Sequence, residues 1–215
     1  MARNAKAFTL AELLMAMLVM GIIALAVGGM SMALSTAHEY SEDFYRHTQI
    51  ARNGMRRVQR ALRQAKLITA KDSTSVAYWA EDTNGNGRIN LTEMRLLTFE
   101  AGQGELAEYR VEFPDWWEEW WKEEKDIEFP LSEVATIDQV KKLVGALEWT
   151  GRLWAAELTD VSFVASPAAP QTKVLQVRFT VGRGSRQVTL RSAAAPRVDW
   201  LQYVKFEDGQ WVLDT

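Results

Sequence analysis

The 215-residue chain contains no cysteine, which excludes disulfides, Cys-ligated zinc and thiol chemistry. That absence leaves the compartment open, because an exported domain of this size can fold without covalent staples. Histidine is nearly missing too: His38 and His47 are the only two, both in a stretch read as N-terminal helix, and no serine sits in a nucleophile elbow. Acid pairs such as Glu118-Glu119 face solvent in this reading, so no catalytic constellation forms and the chain is not read as an enzyme. The net charge of −3 is too small to point to nucleic acid or another polyanion. Between Leu13 and Leu34 charge is lacking altogether. About 20 apolar residues suffice to cross a bilayer as helix, so this run can span a membrane.

Against these absences stand 47% hydrophobic residues and nine tryptophans, enough to build the core of one ordinary domain beyond the apolar run. Arg3 and Lys6 precede that run. The positive-inside rule therefore keeps residues 1–7 in the cytoplasm and exports the chain beyond Leu34. Glu12 is the anomaly. An acid near the end of a membrane helix costs up to a few kcal/mol at depth and is usually retained for a partner.

The stretch Ala7-Phe8-Thr9-Leu10-Ala11-Glu12, running into Leu13-Leu14-Met15-Ala16, resembles the class III signal of type IV pilins and pseudopilins. It has the short basic leader, a small residue at the cut, Phe-Thr-Leu-x-Glu and the apolar run. The resemblance implies a leader of residues 1–7, cleavage by prepilin peptidase after Ala7, and N-methylation of Phe8. It also implies an assembly role for Glu12, whose carboxylate would neutralise the amine of Phe8 on an adjacent subunit and relieve the burial cost of both charges. Ala7 stands where the family usually has Gly. Two other readings compete: a simple signal anchor, and a secretory signal peptide with Ser35-Thr36-Ala37 as its small-x-small site. The apolar run is well beyond the roughly 7 to 15 residues of a normal h-region. A plain anchor, in this reading, has no use for Glu12.

Phe44, Thr48, Ala51, Met55, Val58, Leu62 and Ala65 succeed one another at steps of four and three, a stripe down one helix face. The helix is expected over 8–66, about 90 Å long, with its membrane-spanning part at about 13–34. Arg52, Arg56, Arg57, Arg60, Arg63 and Lys66 fill the other faces and read as a solvated surface balanced by acids of the head or of neighbouring subunits. They lie outside the cytoplasm and lack interleaved aromatics, which argues against nucleic acid. The run from Arg56 to Ala65 is similar to the end of the long helix in PilW-like minor pilins and in J-type minor pseudopilins of type II secretion.

From Ser73 the apolar period shortens. Strands are expected at 76–79, 94–99, 106–111, 161–165, 174–181, 187–191, 201–207 and 210–213, with Asp208-Gly209 as a two-residue hairpin turn. Helices at 115–125 and 137–147 form an insertion over about 115–147. The expected architecture is α+β and pilin-like, a long N-terminal helix packed against an antiparallel β-sheet head over 72–215.

Two constellations stand out in that head. Residues 82–93 match the 12-residue EF-hand calcium loop, with oxygen ligands from Asp82, Asn84, Asn86, the Arg88 carbonyl, Asn90 through water, and bidentate Glu93. Strand-like flanks make this a calcium loop without an EF-hand domain, and two formal charges predict weak binding, with Kd about 0.1 to 1 mM. A bare turn built on Asn84-Gly85 and Asn86-Gly87 is the alternative. Trp116, Trp117, Trp120 and Trp121 lie among Asp115, Glu118, Glu119, Glu123 and Glu124. At helical spacing the indoles share one broad face, which either packs on the head or docks another subunit or cargo.

Taken with the resemblance, these features predict a minor pilin or pseudopilin subunit, processed by prepilin peptidase and serving a type II secretion pseudopilus or a type IV pilus. Its partners would be other such subunits and the inner-membrane assembly platform, with one membrane pass and the head in the periplasm. The alternative is a membrane-anchored, calcium-dependent binding module that never joins a filament.

Overall fold

The computed structural model describes residues 9–146, 149–182, 187–197 and 199–214. It falls into two units, Met1–Tyr45 and Arg46–Thr215, with helix α1, Leu10–Gln64, contributing to both. In the first unit every residue from 10 to 40 is exposed. The most apolar window of α1 has a mean hydropathy of 2.5 and none of it is buried, so the helix is long and apolar enough to cross a membrane.

In the second unit α1 buries Thr48, Ala51, Met55, Val58 and Leu62, the stripe read from the sequence. Phe44, expected at its head, lies in the first unit and is 46% exposed. Gly54 also lies on the buried face. A Cβ there would sit 2.8 Å from Ala155 Cβ and 3.2 Å from Phe179 Cε2, so the missing side chain is what lets the helix approach the strands this closely.

The head is built from twelve strands and two short helices among the described residues: β1 Leu67–Lys71, β2 Ser75–Trp79, β3 Ile89–Asn90, β4 Met94–Glu100, β5 Glu105–Val111, α2 Glu119–Lys125, β6 Glu128–Phe129, α3 Ile137–Ala146, β7 Trp149–Ala155, β8 Leu158–Ser166, β9 Val174–Val181, β10 Val188–Ala194, β11 Val204–Glu207 and β12 Gln210–Leu213. The main sheet has the order β1-β2-β4-β5-β7, a second sheet has β10-β9-β8, and β11-β12 and β3-β6 form two-stranded ribbons. All pairings are antiparallel, with Val76 opposite Leu97 and Trp79 opposite Met94 at the centre of the main sheet. This is the pilin-like α+β architecture expected from the sequence.

Over β1, β2 and β4 the main sheet is buried on both faces, whereas most of β7 is exposed. Successive side chains of a strand point to opposite faces. Val76 and Tyr78 of β2 accordingly join one core with Leu97, the α1 stripe and Val161, Phe163, Val177 and Phe179 of the second sheet. Ala77 and Trp79 join a second core with Met94, Leu96, Ile89, Phe129, Leu131, Val134, Ile137 and Val140. The α1 helix thus covers one face and the insertion covers the other. In the second sheet only one face is covered: Leu175, Val177 and Phe179 are buried, whereas Val174 and Gln176 are exposed.

Several elements differ from the sequence reading. The sequence pattern predicts neither β1 nor β7. Four of the five β1 residues are buried, so it shows no alternation, and β7 is interrupted by Gly151. The segment 201–207 begins with a 3-10 turn at Leu201–Tyr203 before β11 starts. Helix α2 is shorter than 115–125: Trp117 N donates to the Pro114 carbonyl in a turn, Glu118 is extended, and only Glu119 onward is helical. Leu147, expected at the end of α3, lies outside the described residues. Asp208 and Gly209 have φ of 49° and 80°, as the two-residue hairpin requires.

This packing leads to two expected outcomes. Gly54→Val should lower the unfolding free energy by about 1 to 3 kcal/mol, the usual cost of overpacking, measured by chemical denaturation of the detergent-solubilised protein. Burial pushes the Tyr78 hydroxyl well above the usual tyrosine range, and the Glu108 carboxylate to which it donates pushes it further. Because the folded-state value is raised, the associated stability is fully present below the ordinary tyrosine pKa of about 10 and is lost as pH rises toward the folded value. Ultraviolet titration should therefore show Tyr78 ionising after the exposed tyrosines, together with unfolding.

Candidate functional site

The loop between β2 and β4 carries the calcium-type pattern. Asn84 Oδ1 accepts from Asn86 N at 3.0 Å and Asn86 Oδ1 accepts from Arg88 N at 2.8 Å, two side-chain-closed turns in succession. Gly87, at the position where the calcium loop turns sharply, has φ of 73°. Asn86 Nδ2 donates to Asn90 Oδ1 at 3.1 Å. The sequence order of donors is thus folded back on itself.

Glu93 closes the loop from inside the core, fully buried. Its Oε1 accepts from Thr83 N at 2.6 Å and Thr83 Oγ1 at 3.0 Å, and its Oε2 accepts from Trp79 Nε1 at 2.9 Å and Asn90 N at 3.4 Å. A buried carboxylate is tolerated only when donors replace water, and four do so here. Asp82 is arranged differently. Its Oδ2 pairs with Lys66 Nζ at 3.1 Å, while its Oδ1 is buried with no donor among the described residues. Lys66 Nζ also lies 4.5 Å from the Trp200 ring centre and 5.1 Å from that of Trp79.

The fit to calcium is therefore uneven. Asp82 Oδ1 is a free, buried anionic oxygen of the kind a cation would satisfy, but Glu93 is engaged on both oxygens and would have to exchange protein donors for metal. The sequence reading missed the residues that hold this loop from outside. Arg88 pairs with Glu128 at 2.7 Å, and Thr92 donates to both Asp126 oxygens at 2.8 and 2.9 Å. These partners lie more than thirty positions away, and no local pattern announces them.

The tryptophans do not pack on the head as a helix face. Trp116 and Trp117 precede α2, which has no buried residue, and Trp116 and Trp120 are 81% and 56% exposed. Trp117 stacks on Phe113, with ring centres 5.4 Å apart, and the remaining ring contacts are perpendicular.

At the N-terminal end, Ala7 and Phe8 lie outside the described residues. Thr9 caps α1. Thr9 N donates to Glu12 Oε2 at 2.9 Å, and Glu12 N donates back to Thr9 Oγ1 at 3.3 Å. This reciprocal pair is a capping box, which satisfies donors that a helix start leaves open. Glu12 therefore has a local use even in a plain anchor, contrary to the sequence reading. It is also exposed, so the carboxylate is accessible.

Among protein families, the one described as the prokaryotic N-terminal methylation motif matches residues 2–34. Residues 2–34 are a prepilin-type methylation motif. The match ends at residue 34 and does not extend into the head. It covers Ala7, Phe8 and Glu12 together with the apolar half of α1. No curated protein and no solved structure matches the chain.

The geometry of Glu93 leads to a firm expectation. Glu93→Gln replaces a charge-assisted acceptor with an amide that brings its own donor among N–H groups, and should cost about 1.5 to 3 kcal/mol in the absence of any metal. Equilibrium unfolding in the presence of chelator, with wild type alongside, measures this directly.

Proposed function

We propose that the chain is a minor subunit of a type II secretion pseudopilus or a type IV pilus, anchored in the inner membrane with its head in the periplasm. The observation that carries this reading is the methylation motif at residues 2–34 running into an exposed apolar helix whose far half packs on an antiparallel β head. In this reading prepilin peptidase cuts after Ala7, Phe8 becomes the methylated first residue, and Glu12 neutralises its amine on a neighbouring subunit. Work of this kind is mechanical. Mass spectrometry of the native N-terminus tests it: a chain starting at methylated Phe8 is expected, and recovery of intact residues 1–7 from cells with active peptidase would overturn it.

The capping box and the intermolecular pair make separable demands on Glu12. Gln at this position keeps the reciprocal cap but carries no charge, whereas Ala loses both. If charge neutralisation governs assembly, Glu12→Gln and Glu12→Ala should both insert in the membrane and both fail to enter filaments in a complementation assay. Normal incorporation of Glu12→Gln would reduce the side chain to its capping role.

A calcium role for the 82–93 loop is a second reading, favoured by the buried Asp82 Oδ1, which has no donor among the described residues and stands first in a run of side-chain oxygens and one backbone carbonyl in calcium-loop order. Asp82, Asn84, Asn86 and Glu93 would supply side-chain oxygens, Arg88 its carbonyl and Asn90 a bridging water. Calcium would supply charge compensation for Asp82 and compete with Lys66 for it. A ligand at about 100 times its Kd stabilises the folded state by about 2.7 kcal/mol. Calcium at about 10 mM, about 10 to 100 times the expected Kd, should therefore raise the melting temperature of the protein while magnesium does much less. Equal effects of the two ions would leave the loop as a turn closed by Glu93. The same measurement bears on the alternative of a calcium-dependent binding module that stays out of filaments.

A further inference from the structure

Two surfaces of the head are unusual in opposite senses. The first is the tryptophan group. Trp116, Trp117, Trp120 and Trp121, with Glu118, line an open hollow of about 430 Å3. Adjacent rings stand at 81° to 83° to one another, with centres 5.2 to 6.1 Å apart, so several indole faces are presented at once. Acids flank them along the chain: Asp115, Glu118, Glu119, Glu123 and Glu124 outnumber Lys122 and Lys125, and Glu118 lines the hollow itself. Indole faces attract cations, and neighbouring carboxylates add to the pull. The chain itself shows the preference, since Lys125 Nζ lies 5.4 Å from the centre of the Trp121 ring.

The second surface lies on α1. Arg52, Arg56, Arg60 and Arg63 are spaced at steps of four, four and three, all exposed, and form one ridge beside the buried stripe. None of the four has an ion pair with a described residue. Residues four apart on a helix are about 6 Å apart along its axis, which matches the spacing of the indole rings. Guanidinium groups stack on aromatic faces and bind carboxylates at their edges, so an arginine ridge suits a surface that offers both.

The two surfaces cannot meet within one chain. The α1 stripe packs on one face of the main sheet, and Phe113, on which Trp117 stacks, packs with the core on the other face. We propose that the acidic tryptophan hollow receives the Arg52–Arg63 ridge of a second copy of this chain. Such a contact joins two different patches, so it is head-to-tail, and whether a series of copies closes or stays open depends on the rotation between them. The inference rests on the filament-subunit reading and assigns it an interface.

Absence of cysteine makes the test clean. Asp115→Cys beside the hollow and Asn53→Cys beside the ridge both replace exposed residues and leave every tryptophan and ridge arginine in place. The two full-length single-cysteine proteins, purified separately in mild detergent, are mixed and treated with a short bis-maleimide. The expected product is a mixed dimer exceeding either homodimer. Its yield should fall roughly five-fold or more when the Asp115→Cys protein also carries Glu123→Lys and Glu124→Lys, or when salt is raised to screen the charges. Adding Arg56→Glu and Arg60→Glu to the Asn53→Cys partner should restore it. Absence of the mixed dimer, homodimers in equal yield, or insensitivity to charge reversal would overturn the proposal. Unfolded variants are recognised by circular dichroism, and the restoring pair shows that each charge-reversed chain is competent. Failure here leaves cleavage after Ala7 and filament entry untouched, because those are read separately in cells.

Discussion

The head depends on burial of β2 on both faces. Val76 and Tyr78 need an apolar cover on one side, and Ala77 and Trp79 need one on the other. Leaving either pair in water would forgo about 1.5 to 3 kcal/mol for each large side chain. The second half of α1, with the β8 to β10 sheet, supplies the first cover. The second comes from the β3-β6 ribbon, α3 and the residues around Leu131 and Val134. The insertion is therefore structural in its body, while α2 has no buried residue. That division explains how a head with a complete core can still present four tryptophans outside it.

The same two-sided burial shapes the loop after β2. Trp79 is buried at the end of the strand, and its indole N–H must find an acceptor there. Glu93 provides it and in doing so is drawn into the core, where Thr83 and Asn90 complete its hydrogen bonds. Lys66, at the junction of α1 and β1, holds Asp82 at the start of the loop. The loop thus connects the helix junction through Asp82, strand β2 through Glu93 and the insertion through Arg88. A cation entering it would alter interactions that also stabilise the fold, which links any metal response to the stability of the head.

Glu12 shows a related economy at the other end of the chain. Its carboxylate closes a capping box with Thr9, so the acid costs less at the helix mouth than an isolated charge would. The same group remains exposed and available to a second subunit. Local and intermolecular roles are compatible because a carboxylate has two oxygens and the cap uses Oε2.

Much of this was legible in the sequence. The charge-free run after Glu12, the 3-4 stripe from Thr48 to Ala65, the short apolar and aromatic segments around Val76, Met94 and Leu106, and the Asp208-Gly209 turn are all local signals, which a single chain segment carries by itself. The methylation motif is local in the same sense. Beyond reach were β1, whose residues are buried on both sides and so show no alternation, and β7, which Gly151 and exposed positions obscure. Also hidden were the partners of the calcium-type loop. Residue spacing places Asp82 and Glu93 at the ends of a ligand pattern, but only the tertiary structure decides that Glu93 is spent on Trp79, Thr83 and Asn90, that Lys66 neutralises Asp82, and that the indoles of α2 face outward. Those outcomes depend on which groups lose access to water, and that is set by contacts between elements far apart in the chain.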